Sequence, residues 1–504
     1  MIICRSTIEK QLDSDLILCY YIDDKITEDA LAGMTESHNS VPNEVSEVPL
    51  PQQSGSSLCG AILNFTNCIV GAGAIGLGGA IAMSGGLISI AAILFFAVLT
   101  KVSLDLVIHL SDGKSYEELG KQAYGTKGWI AVIVSKKLYS FGCLVAYIVV
   151  VKDNFSSALK HLIFASDSST CFVATFLDKE DLVTLLLSTV VILPLCLLRD
   201  MTPLSNLSAM SVLSMVLIVI IIVYLFIVNP NNDVRNEGGT IYENWLEVKP
   251  GIFESLGTFV FSFVSQHTVN LAYESLRPDL QTLSTWMKVS SWSVGISTTL
   301  SLSVGIFVYI TFWQKTQSDV FDMYPPLCAV DIAKLLLCVS MLLTFPLPFF
   351  SCRELVIVML MSLTQKAEIQ ADDTTAEQEN LDNMSAMEEP LLILEEQQLS
   401  AQEENELPLW ILSKGQLTMR YHIILTILLW SIATSLAIVA PSLGDVLDFV
   451  GCSTGTLIAF ILPALFSLKL QGYSNLAALL LIVGGTVGSV GTVFSIQKLF
   501  VDFI

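Results

Sequence analysis

The sequence predicts an all-α polytopic membrane protein of about eleven transmembrane helices. Three observations predict it. Only 14% of the 504 residues are charged and 53% are hydrophobic, whereas a soluble domain carries roughly 25% charged residues. Apolar runs of near-bilayer length recur along the chain. Two of these runs, five spans apart, are interrupted by glycines or by polar residues. Backbone that leaves the helix at membrane depth must line a cavity, because lipid cannot hydrogen-bond it.

Residues 1–57 carry about ten acids against three bases and are too polar to bury a core, so they read as an acidic, disordered tail. The first span, Leu58–Ala80, contains Asn67-Cys68-Ile69-Val70-Gly71-Ala72-Gly73, where small residues invite the helix to break. The second, Leu87–Leu110, places Lys101 and Asp105 at i,i+4, a spacing that lets them neutralise each other. The third, Trp129–Val151, carries Lys136 and Lys137. At least one of them is expected to line the cavity or to meet a carboxylate or carbonyl. Leu182–Leu198 is short, and Leu204–Val228 completes a first set of five.

The sixth span, Ile252–Leu276, is interrupted by Ser265-Gln266-His267-Thr268. Val289–Trp313 follows. The eighth, Ile332–Leu360, is long enough to tilt or to break near Pro346 and Pro348. Near its end Arg353 and Glu354 read either as an inner-gate contact or as interfacial snorkelling. An acidic loop, 364–418, separates it from the last three spans, His422–Ala440, Leu447–Leu470 and Leu476–Phe494. Within that loop, Gln365–Leu407 holds about thirteen acids against Lys366.

The tail and this loop account for about -19 of the net charge of -22. The membrane body is close to neutral, and no nucleic-acid partner is expected. The N-terminus lacks the basic and apolar regions of a secretory signal. It is expected in the cytoplasm, with both acidic segments on that side, where sorting or regulatory proteins could reach them. The excess of Lys and Arg in the loops of that side agrees. Eleven cysteines show no metal spacing. Asn154-Phe155-Ser156 is a glycosylation sequon expected in an outward loop, as is Cys171.

The organisation read from these positions is a tail (1–57), a first five-helix repeat (58–228), a second, inverted repeat (252–470) interrupted by the acidic loop, and an extra helix (476–494). The broken helices are the first of each repeat, the arrangement that marks a transporter's binding site. At the first break Gly71, Ala72 and Gly73 expose N–H groups suited to a carboxylate; helix packing through small residues is the competing reading. At the second, Phe263, Ser265, Gln266 and His267 offer carbonyls and polar side chains. His267 could bind substrate, titrate, or serve as a structural donor. Asn67, one turn before the first break, and Thr344, before Pro346, are hard oxygen ligands of the kind sodium prefers; each could equally make an interhelical hydrogen bond. No Walker loop and no paired catalytic constellation are present, which argues against ATP-driven transport and against an enzyme.

Four stretches carry a family resemblance: Leu63 through Leu77, Phe261-Ser262-Phe263-Val264-Ser265-Gln266-His267, Thr344-Phe345-Pro346 through Arg353-Glu354, and Ile461-Leu462-Pro463-Ala464 before Leu468-Lys469-Leu470. There the chain resembles the amino acid/auxin permease superfamily, and within it the sodium-coupled neutral amino acid transporters of solute carrier family 38, nearest the member 11 subgroup. The resemblance implies a LeuT-like 5+5 inverted repeat with helices 1 and 6 broken. It implies secondary active transport of a neutral amino acid, with sodium roles on Asn67 and Thr344 and substrate-backbone roles on Gly71, Ala72 and Gly73. One departure is that a Cys-His pair common in the sixth span reads Ser265-Gln266 here. No resident cofactor is expected, only a coupling ion, sodium or proton. The membrane is expected to be the plasma membrane or that of a vacuole or lysosome. Two alternatives stay open: a proton-coupled vacuolar or lysosomal exporter, and a sensor signalling through its tails.

Overall fold

The structure is a computed structural model and describes residues 55–164, 172–198, 207–228, 240–353, 356 and 418–503. Among the described residues every named element is helical, and the one strand-like feature is a parallel bridge between Ser56 and Leu276. The helices are α1 (Leu58–Ile69), α2 (Ala72–Ser84), α3 (Gly86–Ser111), α4 (Tyr116–Phe164), α5 (Glu180–Leu197), α6 (Leu207–Val228), α7 (Ile252–Phe261), α8 (Val269–Glu274), α9 (Leu283–Phe312), α10 (Cys328–Arg353), α11 (Met419–Val439), α12 (Leu443–Leu470) and α13 (Asn475–Leu499).

Nine helices among the described residues are long and apolar enough to cross a membrane, and a tenth span results when α1 and α2 are joined. This is the all-α polytopic class that the hydropathy predicts. The expected count of about eleven depends on the sixth span. There α7 has only ten residues before the interruption and α8 only six after it, too few for either to cross alone at 1.5 Å per residue.

Burial sorts the helices into an inner and an outer set. The apolar window of α4 is 78% buried, against 28% for α5 and α13. α4, α10 and α12 therefore form the interior, while α5, α11 and α13 show most of their apolar surface to the bilayer. α9 lies along α1, α2 and α3, and α7 lies between α2 and α12. The two broken helices are thus held at the centre by helices from both halves of the chain.

α4 is longer than the predicted third span, with 49 residues and a kink at Tyr124 and Gly125. Gly125 takes φ of 62°, a left-handed conformation open to glycine, so the chain turns there without strain. This extension corrects the expectation for Asn154. Asn154 lies inside α4, fully buried, and its side chain donates to Val150 O at 3.0 Å and to Asp319 Oδ2 at 2.6 Å. A side chain engaged in this way is not a glycosylation acceptor. Its helix outruns the expected loop because its polar residues meet groups of distant segments instead of water: Asn154 meets Asp319, Lys152 reaches Ala437 O and Ala440 O, and Ser157 accepts from Lys334 Nζ. Cys171, Glu354 and the acidic loop lie outside the described residues.

Candidate functional site

α1 ends where Val70 becomes extended, at φ -79° and ψ 101°, and its N–H still closes the last turn onto Thr66 O at 2.8 Å. α2 restarts at Ala72, bent by 49° from α1, and no side chain caps its N-terminus. The first-turn N–H groups around Gly71, Ala72 and Gly73 therefore point from a positive helix end into the protein interior. Gly71 faces the Tyr147 hydroxyl of α4. Gly73 lies against α7's end so closely that a Cβ there would stand 2.7 Å from Ser262 Cα.

The second break begins at Ser262. Phe263 N and Val264 N both bond to Val260 O, at 3.1 and 3.2 Å, which tightens the end of α7 before the chain turns. Ser265 N bonds to Gln266 Oε1 at 3.1 Å, and Thr268 N returns to Ser265 O at 3.1 Å before α8 starts. Phe263, Ser265 and Gln266 are fully buried and His267 nearly so. Gln266 Nε2 reaches Ser103 Oγ of α3 at 3.4 Å. The His267 ring packs on Tyr139 with centroids 5.0 Å apart. His267 Nδ1, Ser265 Oγ and Thr66 Oγ1 have no hydrogen-bond partner among the described residues. Orphaned polar atoms at such depth are costly unless a ligand or water satisfies them.

Sequence reasoning places a substrate ammonium at the carbonyls of residues 263–265. The structure shows Val264 O accepting from Tyr139 Oη at 3.1 Å, and Ser265 O accepting from Thr268 Oγ1 at 3.1 Å. Tyr139 and Tyr147 were not singled out from sequence, although both lie on the face of the third span that carries Lys136 and Cys143.

The structure brings Asn67 and Thr344 together and adds two residues. Thr344 Oγ1 lies 3.4 Å from Asn67 Oδ1, 3.1 Å from Ser211 Oγ and 2.9 Å from Ser340 O. Ser211 Oγ and Ser340 Oγ are 2.6 Å apart. All four residues are buried, on α1, α6 and α10. The result is a nest of neutral oxygens one turn from the first break. The serine recurrence Ser205, Ser208, Ser211 and Ser214 in the fifth span was the available signal for Ser211.

Lys136, Lys101 and Arg353 each have partners. Lys136 Nζ binds Glu117 Oε1 of the same helix at 2.6 Å, and Lys101 binds Asp105 at 2.7 Å. Arg353 donates to Cys196 O at 2.9 Å and Leu198 O at 3.3 Å, at the C-terminal end of α5, and its guanidinium stacks over Phe350.

Both ends of this region are covered. At one end Ser56 N donates to Ser275 O at 2.7 Å and Arg277 N to Ser56 O at 3.2 Å, tying the start of α1 to the end of α8. At the other, residues 316–327 lie over α2 and α12, with Ser318 against both Gly79 and Gly444. Asp319 anchors this loop to Asn154. Burial, then repulsion from Asp322, pushes its carboxyl up to about 6.

A profile of the transmembrane amino acid transporter protein family matches residues 54–486. A bovine (Bos taurus) protein named "Putative sodium-coupled neutral amino acid transporter 11" is 25% identical over 451 residues, covering 87% of this chain and 83% of the relative. Its Danio rerio namesake is 24% identical, with 87% and 86% covered. "Vacuolar amino acid transporter 2" of Saccharomyces cerevisiae is 24% identical over 430 residues, covering 84% and 79%. With a profile spanning most of its length and two broken helices at its centre, the chain belongs to the transmembrane amino acid transporter family and is a multi-pass transporter, not an enzyme.

Proposed function

We propose that this protein is a secondary active transporter of neutral amino acids, glutamine-like or small aliphatic, driven by sodium through alternating access. The observation that carries the reading is the buried oxygen nest of Asn67, Ser211, Ser340 and Thr344 beside the first break. Neutral hard oxygens suit a monovalent cation with weak ligand-field demands. In this reading sodium joins α1 to α10, and so holds Gly71, Ala72 and Gly73 where their N–H groups meet the substrate carboxylate. The ammonium meets the remaining oxygen acceptors around Phe263 and Ser265, and Gln266 and His267 bound the side-chain pocket. Each ligand tightens the other, because both favour the same position of α1.

The two covered ends correspond to a closed intermediate of the cycle. Lys136 and Arg353 act at the inner side in this scheme, with Glu354 as a candidate gate partner. The repeats are residues 58–228 and 252–470, the sixth span is formed by α7 and α8 together, and 476–494 is an added eleventh helix. The N-terminus is cytoplasmic, and the acidic segments are available there to sorting or regulatory proteins. A vacuolar or lysosomal membrane is the alternative to the plasma membrane, and the yeast vacuolar relative favours it.

The test is uptake of labelled glutamine into proteoliposomes containing the full chain, with a sodium gradient in one arm and a proton gradient in the other. Accumulation in the sodium arm, lost on adding a neutral amino-acid pool, supports the reading. Specific binding without flux in either arm would replace it with a sensor.

A further inference from the structure

The start of α12 brings a second buried ionic group against the sixth span, separate from the oxygen nest. Asp448 is 2% exposed, in the second turn of the membrane-spanning helix α12. One carboxylate oxygen, Oδ1, accepts from Thr258 N at 2.8 Å and from Thr258 Oγ1 at 2.6 Å. Thr258 stands on α7, one turn before the second break. One turn earlier on α12, Asp445 takes the nearby ammonium, with Lys498 Nζ 2.7 Å from Asp445 Oδ1.

The charges around Asp448 do not balance. α12 supplies Asp445 and Asp448, with Cys452 a turn further. α13 supplies Lys498, and α7 supplies Thr258 and, further off, Glu254. α2 carries no ionisable residue, and the loop meets α12 through Ser318. α4 meets it beside Asp448 through Leu138, Phe141, Gly142 and Val145, and further along through Tyr139, which lies against Gly455. Two buried carboxylates thus share one lysine, which is already engaged. An uncompensated carboxylate at this depth is expensive and marks an ion or proton pathway by default. A metal cation would need a shell of oxygen ligands, whereas the partners of Asp448 Oδ1 are two donors, an N–H and an O–H. A proton needs only a free lone pair.

The position also connects to the substrate region. α7 and α12 touch backbone to backbone, and a Cβ on Gly257 would stand 2.0 Å from Asp448 O. Thr258 O in turn accepts from Ser262 Oγ at 2.7 Å, and Ser262 is the residue on which Gly73 rests. A short path of packed backbone therefore runs from the Asp448 carboxylate to both helix breaks.

We propose that Asp448 is a proton-binding residue of the transport cycle, loaded as α7 closes on α12 and emptied as they part. Protonation removes the excess negative charge of the closed contact. Parting rehydrates the carboxylate and returns the proton to solvent. The inference rests on the transport reading above and adds a proton to its ligands.

The experiment uses the full chain in proteoliposomes with a pH dye inside and equal sodium on both faces. With an inward proton gradient, the wild type is expected to accumulate labelled glutamine and acidify the lumen in proportion. Asp448→Asn keeps an oxygen acceptor for Thr258 but binds no proton. It is expected to lose at least about fivefold of proton-driven uptake and all substrate-linked acidification. If Asp448→Asn also loses sodium-driven uptake, Thr258→Val decides. It takes one donor from the ionised carboxylate, so half-maximal uptake should move to higher pH by about one unit. An unmoved profile, or undiminished acidification in Asp448→Asn, overturns the proposal. Sodium-driven uptake without proton movement in the wild type overturns it while leaving the transport reading intact. No uptake in either arm overturns both.

Discussion

The hydroxyl of Thr344 lies 3.4 Å from the side-chain oxygen of Asn67, across an interface between helices 277 residues apart in sequence. Asn67 ends the last complete turn before the first break, so whatever binds between these two oxygens also sets where α2 begins. This pairing is the basis of the first prediction.

Thr344→Ala removes one oxygen of the nest and should raise the sodium concentration for half-maximal uptake by about tenfold, equivalent to roughly 1.4 kcal/mol. Ser211→Ala should act in the same direction, and Thr344→Ser should restore most of the loss. Titrating sodium at fixed substrate checks it. An unchanged sodium dependence in both alanine variants removes sodium from this nest.

Gly73→Ala places a methyl 2.7 Å from Ser262 Cα, main chain that cannot swing away. The expected cost is about 1–3 kcal/mol in the closed arrangement, seen as a large drop in transport rate with normal expression. Gly295→Ala is the control, because a Cβ at Gly295 meets nothing within 4 Å. Equal transport rates for the two variants would show that this close approach plays no part in the cycle.

Ser56→Pro deletes the N–H that reaches Ser275 O and so loosens the start of α1 from the end of α8. Cys68, partly buried beside the break, should then react several-fold faster with a membrane-permeant thiol reagent, roughly as a latch worth about 1 kcal/mol would dictate. Labelling followed by mass spectrometry reads this. Unaltered labelling means that the bridge does not hold the end closed.

Asp319 supplies a pH dependence outside the spans. Its carboxyl is raised from 3.8 to about 6 by burial and by Asp322, so the folded chain holds this proton more tightly than the unfolded chain does. The stability that Asp319 contributes should therefore fall as pH rises from about 4 to about 6 and change little above that. Asp319→Asn should flatten this part of the profile. Thermal unfolding in detergent across that range tests it, and a wild-type profile that rises over the same interval contradicts the assignment.

Arg353→Ala strips two carbonyls at the end of α5 of their donor and should lower stability by about 2–3 kcal/mol. Arg353→Lys should recover little, since an ammonium cannot reproduce the planar fork that spans Cys196 O and Leu198 O. Unfolding midpoints of the three proteins in detergent are the measurement.

Much of the architecture was legible because the bilayer leaves few solutions. An apolar run of about twenty residues must be a helix, and the glycines at 71 and 73 together with the polar residues at 265–268 could not continue one without penalty. The Lys101–Asp105 pair was equally legible, because its partners sit on one helix face at fixed spacing. Less legible were contacts made between distant helices. Lys152 and Asn154 look like the start of a loop until Ala437 O and Ala440 O arrive to accept from the ammonium and Asp319 to accept from the amide. Ser211 and Ser340 look like ordinary small residues of a membrane helix until they meet at 2.6 Å. Asp448 has no neighbour in sequence that identifies Thr258 as its partner.

By itself, then, the sequence determined that this chain is helical, crosses a membrane many times and breaks two of its helices, because hydropathy and backbone hydrogen bonding act over a few consecutive residues. The tertiary structure alone decided which oxygens meet: Asn67 with Thr344 and Ser211, Asp448 with Thr258, Asn154 with Asp319. Those meetings depend on how helices from distant parts of the chain pack, and a partner hundreds of residues away leaves no local trace in the pattern of either segment.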